Sequence, residues 1–136
     1  MNLGLIIIDD SELDRFIIQR IIQYINKDLS VQSYNSATQA LDTIRENQFN
    51  SQEKFTLILL DLQMPIMNGF EFIEEFEKLP LHFQEMHKII ILSNTRNPND
   101  IARLLSYKSV DRLLEKPITK EKLQDLITQT ALSAQQ

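Results

Sequence analysis

The sequence predicts an α/β fold, a doubly wound (βα)5 arrangement in which five parallel strands form one sheet and a helix follows each. Two observations carry this expectation. Short apolar runs alternate about five times with longer stretches of helical period. Three of the runs, residues 5–8, 57–60 and 89–92, are continuous rather than alternating, as central strands of a parallel sheet covered on both faces must be. The strands are expected at Leu3–Ile8, Ser30–Tyr34, 55–60, 88–92 and 110–114.

Most of the intervening helices announce their start. Ser11 stands three residues before Asp14, Ser36 three before Gln39, and Asn97-Pro98 shortly before Asp100; each pattern supplies a side-chain acceptor for the free N–H groups of a first helical turn. In the first helix Phe16, Ile17, Arg20, Ile21 and Tyr24 recur at helical spacing. Ile18, Ile22 and Ile25 widen that stripe, which is expected to pack on the sheet. The third helix should turn Phe72, Ile73, Phe76 and Leu79 inward and present Glu74, Glu75 and Glu77 as a solvated acidic face. His82 and His87 are five apart, not the four of a helical metal pair, and are expected in a solvated loop. Residues 50–55 read as a polar loop without evident chemistry.

No linker, repeat or low-complexity stretch divides the chain, so residues 1–136 are expected to form one domain. Apolar residues make up 43% and charged residues 24%, the balance of a soluble globular protein rather than a disordered one. The net charge of −5, with no basic run, argues against a nucleic-acid surface. The absence of cysteine excludes disulfides and thiolate metal sites. No window approaches the ~20 apolar residues of a membrane span, and the N-terminal apolar run is too short for a signal peptide. A soluble, cytoplasmic protein is the expectation.

Right-handed crossovers favour the flavodoxin-like strand order 2-1-3-4-5, which makes strands 1 and 3 neighbours at the topological switch point. Ligands of such sheets bind outside the carboxyl ends of the strands. Asp9, Asp10, Asp61, Ser93 and Lys116 all fall at or just past those ends. Three carboxylates brought together raise one another's pKa or demand a cation. A hard divalent ion such as Mg²⁺ suits oxygen ligands, and a backbone carbonyl at Gln63 could complete the set. Lys116 offers a compact positive charge to Asp61 or to a phosphoryl oxygen, and Ser93 a hydroxyl donor. A carboxylate nucleophile, a divalent cation, a lysine and a hydroxyl together make a site for phosphoryl transfer onto an aspartate.

The stretches "IIIDD", "LILLDLQMPIMNGFEF", "IIILSNT" and "LLEKPIT", in this order and spacing, resemble the receiver domain of two-component response regulators, from residue 3 to about residue 130. The likeness is to the stand-alone, chemotaxis-type receiver, without an output domain. The resemblance implies that Asp61 is the phosphoacceptor and that Asp9, Asp10 and the Gln63 carbonyl hold Mg²⁺ with it. It implies that Ser93 is the switch hydroxyl and that Lys116 contacts the phosphoryl group, with a cis peptide bond before Pro117. It also implies a signalling switch rather than a turnover enzyme. The donor would be a histidine kinase or phosphotransfer protein, and the output a contact with a target protein. Two positions depart from the family pattern: Asn94 follows the switch hydroxyl where a small residue is usual, and Leu113 replaces the usual aromatic.

Other classes fit less well. A phosphatase working through an aspartyl phosphate typically needs an acid two residues after the nucleophile, and Gln63 stands there. A nucleotide-binding loop needs several clustered glycines, whereas the chain has only Gly4 and Gly69. A degenerate receiver acting as a fixed interaction module is opposed by the intact acids and Lys116, while Asn94 and Leu113 keep that alternative open.

Overall fold

The apolar runs do form one parallel sheet, in the order β2-β1-β3-β4-β5, in a computed structural model that describes residues 3–47, 55–64 and 66–134. The strands are β1 (Leu3–Ile8), β2 (Ser30–Tyr34), β3 (Phe55–Asp61), β4 (His87–Ser93) and β5 (Val110–Glu115). The helices are α1 (Glu12–Ile25), α2 (Ala37–Asn47), α3 (Gly69–Phe76), α4 (Leu81–Gln84), α5 (Pro98–Ser106) and α6 (Lys120–Ala134). The five-helix expectation lacked α4, a single turn begun at Pro80 without a side-chain cap. Of the expected polar loop, residues 50–54 lie outside the described residues, and Phe55 already begins β3.

Successive strand side chains point to opposite faces, so a continuous apolar run feeds two cores at once. Leu5, Ile7, Leu57, Leu59, Ile90 and Leu92 meet Ile18 and Ile22 of α1 and Leu123 and Leu126 of α6. Ile6, Ile8, Ile58, Leu60, Ile89 and Ile91 face the other way, against Leu41 and Ile44 of α2 and Phe72 and Phe76 of α3. Each fully buried side chain of this kind contributes about 1.5–3 kcal/mol. The two layers fix the strands rigidly in register, with Ile8 beside Leu60, Asp61 beside Leu92 and Ser93 beside Glu115. The polar residues that end the strands are therefore delivered to one edge.

Three packing expectations need correction. In α1 the buried residues are Ile18 and Ile22, while Phe16 and Tyr24 are 58% and 75% exposed. The helix carries more apolar residues than one face can bury, and two of the exposed rings lie beside cations: the Arg20 guanidinium is 5.9 Å from the Phe16 ring and the Lys120 ammonium 4.2 Å from that of Tyr24. The acids Glu74 and Glu75 of α3 and Glu77 at its C-terminal cap are paired rather than merely solvated. Glu74 accepts from the Tyr107 hydroxyl at 2.7 Å and from Arg103 at 3.2 Å. Glu75 binds Arg45 and Lys78, and Glu77 accepts from the Ser109 backbone and hydroxyl. His87, expected in a solvated loop, starts β4. Its Nδ1 is 2.8 Å from the Phe83 carbonyl and its ring packs edge-on against Phe76.

Two predictions follow from these local environments. Burial pushes the His87 pKa below its ordinary value, against the opposing pull of the Phe83 carbonyl. The stability this represents is present above about pH 6.5, the unfolded value, and is lost as pH falls through the lower folded value. The urea midpoint of the parent should thus drop between pH 7.5 and 5.5 relative to His87→Phe; equal pH dependence would refute the assignment. Ile66, in the loop between β3 and α3, is 96% exposed and has φ of 72°. That conformation costs an L-residue roughly 1–2 kcal/mol. Allowing for the greater unfolded-state freedom of glycine, Ile66→Gly should stabilise by about 1 kcal/mol, read as a raised urea midpoint; a lowered one would show that the loop depends on Ile66.

Candidate functional site

β1 runs directly into the first acid. The Asp9 N–H donates to the Tyr34 carbonyl at 3.1 Å, and Nη1 of Arg15 donates to the Asp9 carbonyl at 2.7 Å. This backbone clamp holds the Asp9 side chain inside the protein, only 1% exposed. Its Oδ1 accepts from the Ser11 N–H at 2.9 Å, whereas its buried Oδ2 has no hydrogen-bond partner among the described residues. Asp10 follows with an exposed side chain. Asp61 ends β3, buried, and accepts from the Gln63 backbone N–H. One oxygen from each of Asp9, Asp10 and Asp61 lies within 4.8 Å of the others.

Lys116 enters from the end of β5. Its N–H donates to the Ser93 carbonyl at 3.1 Å, and its peptide bond to Pro117 is cis, as the resemblance implied. Its Nζ stands 3.4 Å from Asp61 Oδ1, 3.5 Å from Asp14 Oδ2 and 3.6 Å from Asp9 Oδ2. Burial works against this ammonium, but the carboxylates of Asp61, Asp9 and Asp14 outweigh it and hold the Lys116 pKa above its usual value. The acids remain under-compensated. Burial raises the pKa of both Asp9 and Asp61; the charge of Asp9 raises that of Asp61 further, and Lys116 only partly offsets this.

Ser93 is buried at the end of β4 and begins a chain of short polar links. Its Oγ accepts from the Thr95 N–H at 2.9 Å, and Thr95 Oγ1 accepts from the Asn97 N–H at 3.3 Å. Asn97 Oδ1 in turn caps α5 by accepting from the N–H groups of Asn99 and Asp100. Asn94 is exposed beside this chain, and Leu113 is half-buried against the α2/α3 core together with Tyr107. In the loop after Asp61 the Gln63 side chain is exposed, and Gly69 sits so close to Leu62 that a Cβ would lie 3.1 Å from its Cα. That contact accounts for glycine at the start of α3.

The structure thus gathers Asp9, Asp10, Asp61 and Lys116, and places Ser93 and Gln63 on the same edge. It adds two residues that the sequence motifs did not single out, Asp14 and Arg15. The signal was present: Ser11 caps α1 by accepting from the Asp14 N–H at 3.2 Å, which fixes the first turn over the strand ends.

Comparison with known proteins agrees with this geometry. The family model for the response regulator receiver domain matches residues 5–128, and the chain belongs to that family. The sensory/regulatory protein RpfC of Xanthomonas campestris is 25% identical over 99% of this chain, which corresponds to 17% of that protein. A response regulator receiver protein of Dyadobacter fermentans has 32% identity, a TM-score of 0.79, and coverage of 93% of this chain and 96% of its own. The receiver domain of a sensor histidine kinase of Pseudomonas aeruginosa shares the fold at 17% identity and TM-score 0.74, over 95% of this chain and 97% of its own. That structure has a magnesium ion coordinated in its active site cleft. The chain spans 13% to 21% of the length of the curated relatives it matches. The family places the chain in phosphorylation-dependent signalling by two-component systems. Among the described residues no helix is long and apolar enough to cross a membrane.

The raised pKa of Asp61 has a definite sign for stability. A raised folded-state pKa means stability present below the unfolded value and lost as pH rises through the folded one. In chelator-containing buffer Asp61→Asn should therefore unfold at a higher midpoint than the parent at pH 7, with the difference closing as pH falls to about 3.9, the unfolded value. A variant no more stable than the parent at pH 7 would show that Lys116 compensates Asp61 fully.

Proposed function

We propose that the chain is a phosphorylation-controlled switch or relay element whose phosphoacceptor is Asp61. The observation that carries this is the position of Asp61: a buried carboxylate at a strand end, 3.4 Å from the Lys116 ammonium and grouped with Asp9 and Asp10. In the transfer, an Asp61 carboxylate oxygen attacks phosphorus and forms the acyl phosphate. The N–P bond of the donor's phosphohistidine breaks, and its electron pair leaves with the imidazole nitrogen, which takes a proton from water. Lys116 Nζ and the Ser93 hydroxyl are the groups placed to contact the phosphoryl oxygens. The donor is a histidine kinase or phosphotransfer protein, and the output is a protein contact rather than turnover of a small substrate.

The residues fit a hard divalent cation. Three carboxylates converge on one point, their charge exceeds what Lys116 offsets, and one buried oxygen of Asp9 lacks a hydrogen bond among the described residues. Mg²⁺ held by Asp9, Asp10, Asp61 and the Gln63 carbonyl would supply positive charge beside the phosphoryl oxygens.

The route out of the site follows from the residues beside it. Leu113 has no hydroxyl or ring to reposition and can only repack. Ser93 is joined through Thr95 and Asn97 to the first turn of α5, so a hydroxyl drawn toward a phosphoryl oxygen pulls on the N-terminus of that helix.

Intact-mass measurement after incubation with acetyl phosphate and Mg²⁺ should show one added phosphoryl group, labile to hydroxylamine, and none in Asp61→Asn or in excess chelator. A hydroxylamine-stable adduct, or one that persists in Asp61→Asn, would refute the assignment.

A further inference from the structure

Lys116 has more partners than phosphoryl transfer requires. Its hydrogen bonds to Asp61 and Asp14 are 3.4 and 3.5 Å long, well beyond the 2.7–2.9 Å typical of ammonium–carboxylate pairs. With Asp9 Oδ2 3.6 Å away as well, the ammonium is suspended among three acids and committed to none. Asp14 differs from the other acids around it. It sits on the first turn of α1 rather than at a strand end, its side chain is 41% exposed, and it is not one of the three carboxylates whose oxygens converge.

We propose that Asp14 is a positioning residue that shares Lys116 in the unmodified protein and thereby sets how readily Asp61 takes and keeps a phosphoryl group. This rests on Asp61 being the phosphoacceptor. Two effects act in the same direction. A phosphoryl group on Asp61 needs the whole of the Lys116 ammonium, so the Asp14 contact must be given up. The phosphoryl charge also meets the Asp14 carboxylate across the mouth of the site, at a range where unit charges still interact near a protein surface. For the cation the sign reverses. Lys116 already stands 3.6 Å from Asp9 Oδ2 and 3.4 Å from Asp61 Oδ1; by taking a share of the ammonium, Asp14 loosens its hold on those two carboxylates and so weakens its competition with Mg²⁺. Asp14 thus favours the metal-loaded, unmodified state and opposes the phosphorylated one.

The test is a double-mutant cycle on Asp14→Asn and Lys116→Met. It reads trifluoroberyllate affinity and Mg²⁺ affinity from amide NMR titrations and follows Asp61 modification by intact mass. Asp14→Asn should bind the beryllium mimic and accept phosphate from acetyl phosphate about three- to tenfold better, while binding Mg²⁺ more weakly. Both effects should shrink at high ionic strength, as expected of a half-exposed charge. In the Lys116→Met background most of each effect should vanish, and Asp14→Glu, which keeps charge and reach, should behave as the parent. Parent modified on Asp61 with Asp14→Asn indistinguishable from it overturns the positioning role alone. So does an Asp14→Asn effect of equal size without Lys116. A parent that takes no phosphoryl group on Asp61 overturns the phosphoacceptor assignment, and the positioning role with it.

Discussion

The rest of the structure answers to one constraint, the burial of carboxylates at the end of a sheet that cannot yield. Asp9 and Asp61 cap strands whose neighbours Ile7, Ile8, Leu59 and Leu60 are wholly buried. Sliding either strand outward to hydrate its acid would turn every side chain of that strand onto the wrong face. The acids are held where water reaches them poorly and where they repel each other, and their raised pKa values record the cost. Lys116, itself fixed through the Ser93 carbonyl, reduces that cost without removing it. The edge is thus left short of positive charge, with an ammonium and a hydroxyl held beside the acids.

The same rigidity explains where movement can occur. The strands are locked between two packed layers, so a change in charge at the edge must be taken up by the connecting loops and the helices they cap. Beyond the buried Ser93, the segment to Asn97 is held by side-chain-to-backbone links rather than by burial. At its far end α5 is tied to α3 by the Arg103, Tyr107 and Glu74 cluster, with the Arg103 guanidinium 4.1 Å from the Phe70 ring. Exposed ion pairs of this kind are individually weak, so the α5 anchorage can be rearranged while the core stays intact. Tyr107 belongs to this tie through its hydroxyl.

What could be read from the amino acids follows the physics of each signal. The three central strands were legible because runs such as 57–60 have no polar face, which only a sheet covered on both sides tolerates; β2 and β5 were read from their place between helical stretches. The acids, Ser93 and Lys116 were legible because strand ends are fixed points in such a fold. The orientation of α1 was not: its apolar residues surround most of the helix, and which of them, Ile18 and Ile22, enter the core is settled only by packing on the assembled sheet. The one-turn α4 has too few residues to show a period. The pairing of Glu74, Glu75 and Glu77 depends on partners about thirty residues away in sequence for Arg45, Arg103, Tyr107 and Ser109. The contact of Asp14 with Lys116 spans 102 residues and likewise exists only once the sheet is assembled.

The claim on which everything above depends is that the strand-end acids, Ser93 and Lys116 work as a single charge-deficient site. A titration of the ¹⁵N-labelled protein with Mg²⁺, followed by amide shifts, tests it most directly. Saturating changes at Ser11, Leu62, Gln63, Asn94 and Lys116, with the sheet interior and the far ends of the helices unmoved, is the result the structure predicts. A protein whose amides ignore Mg²⁺, or respond only at exposed acids such as Glu121 and Asp125 on α6, would contradict it.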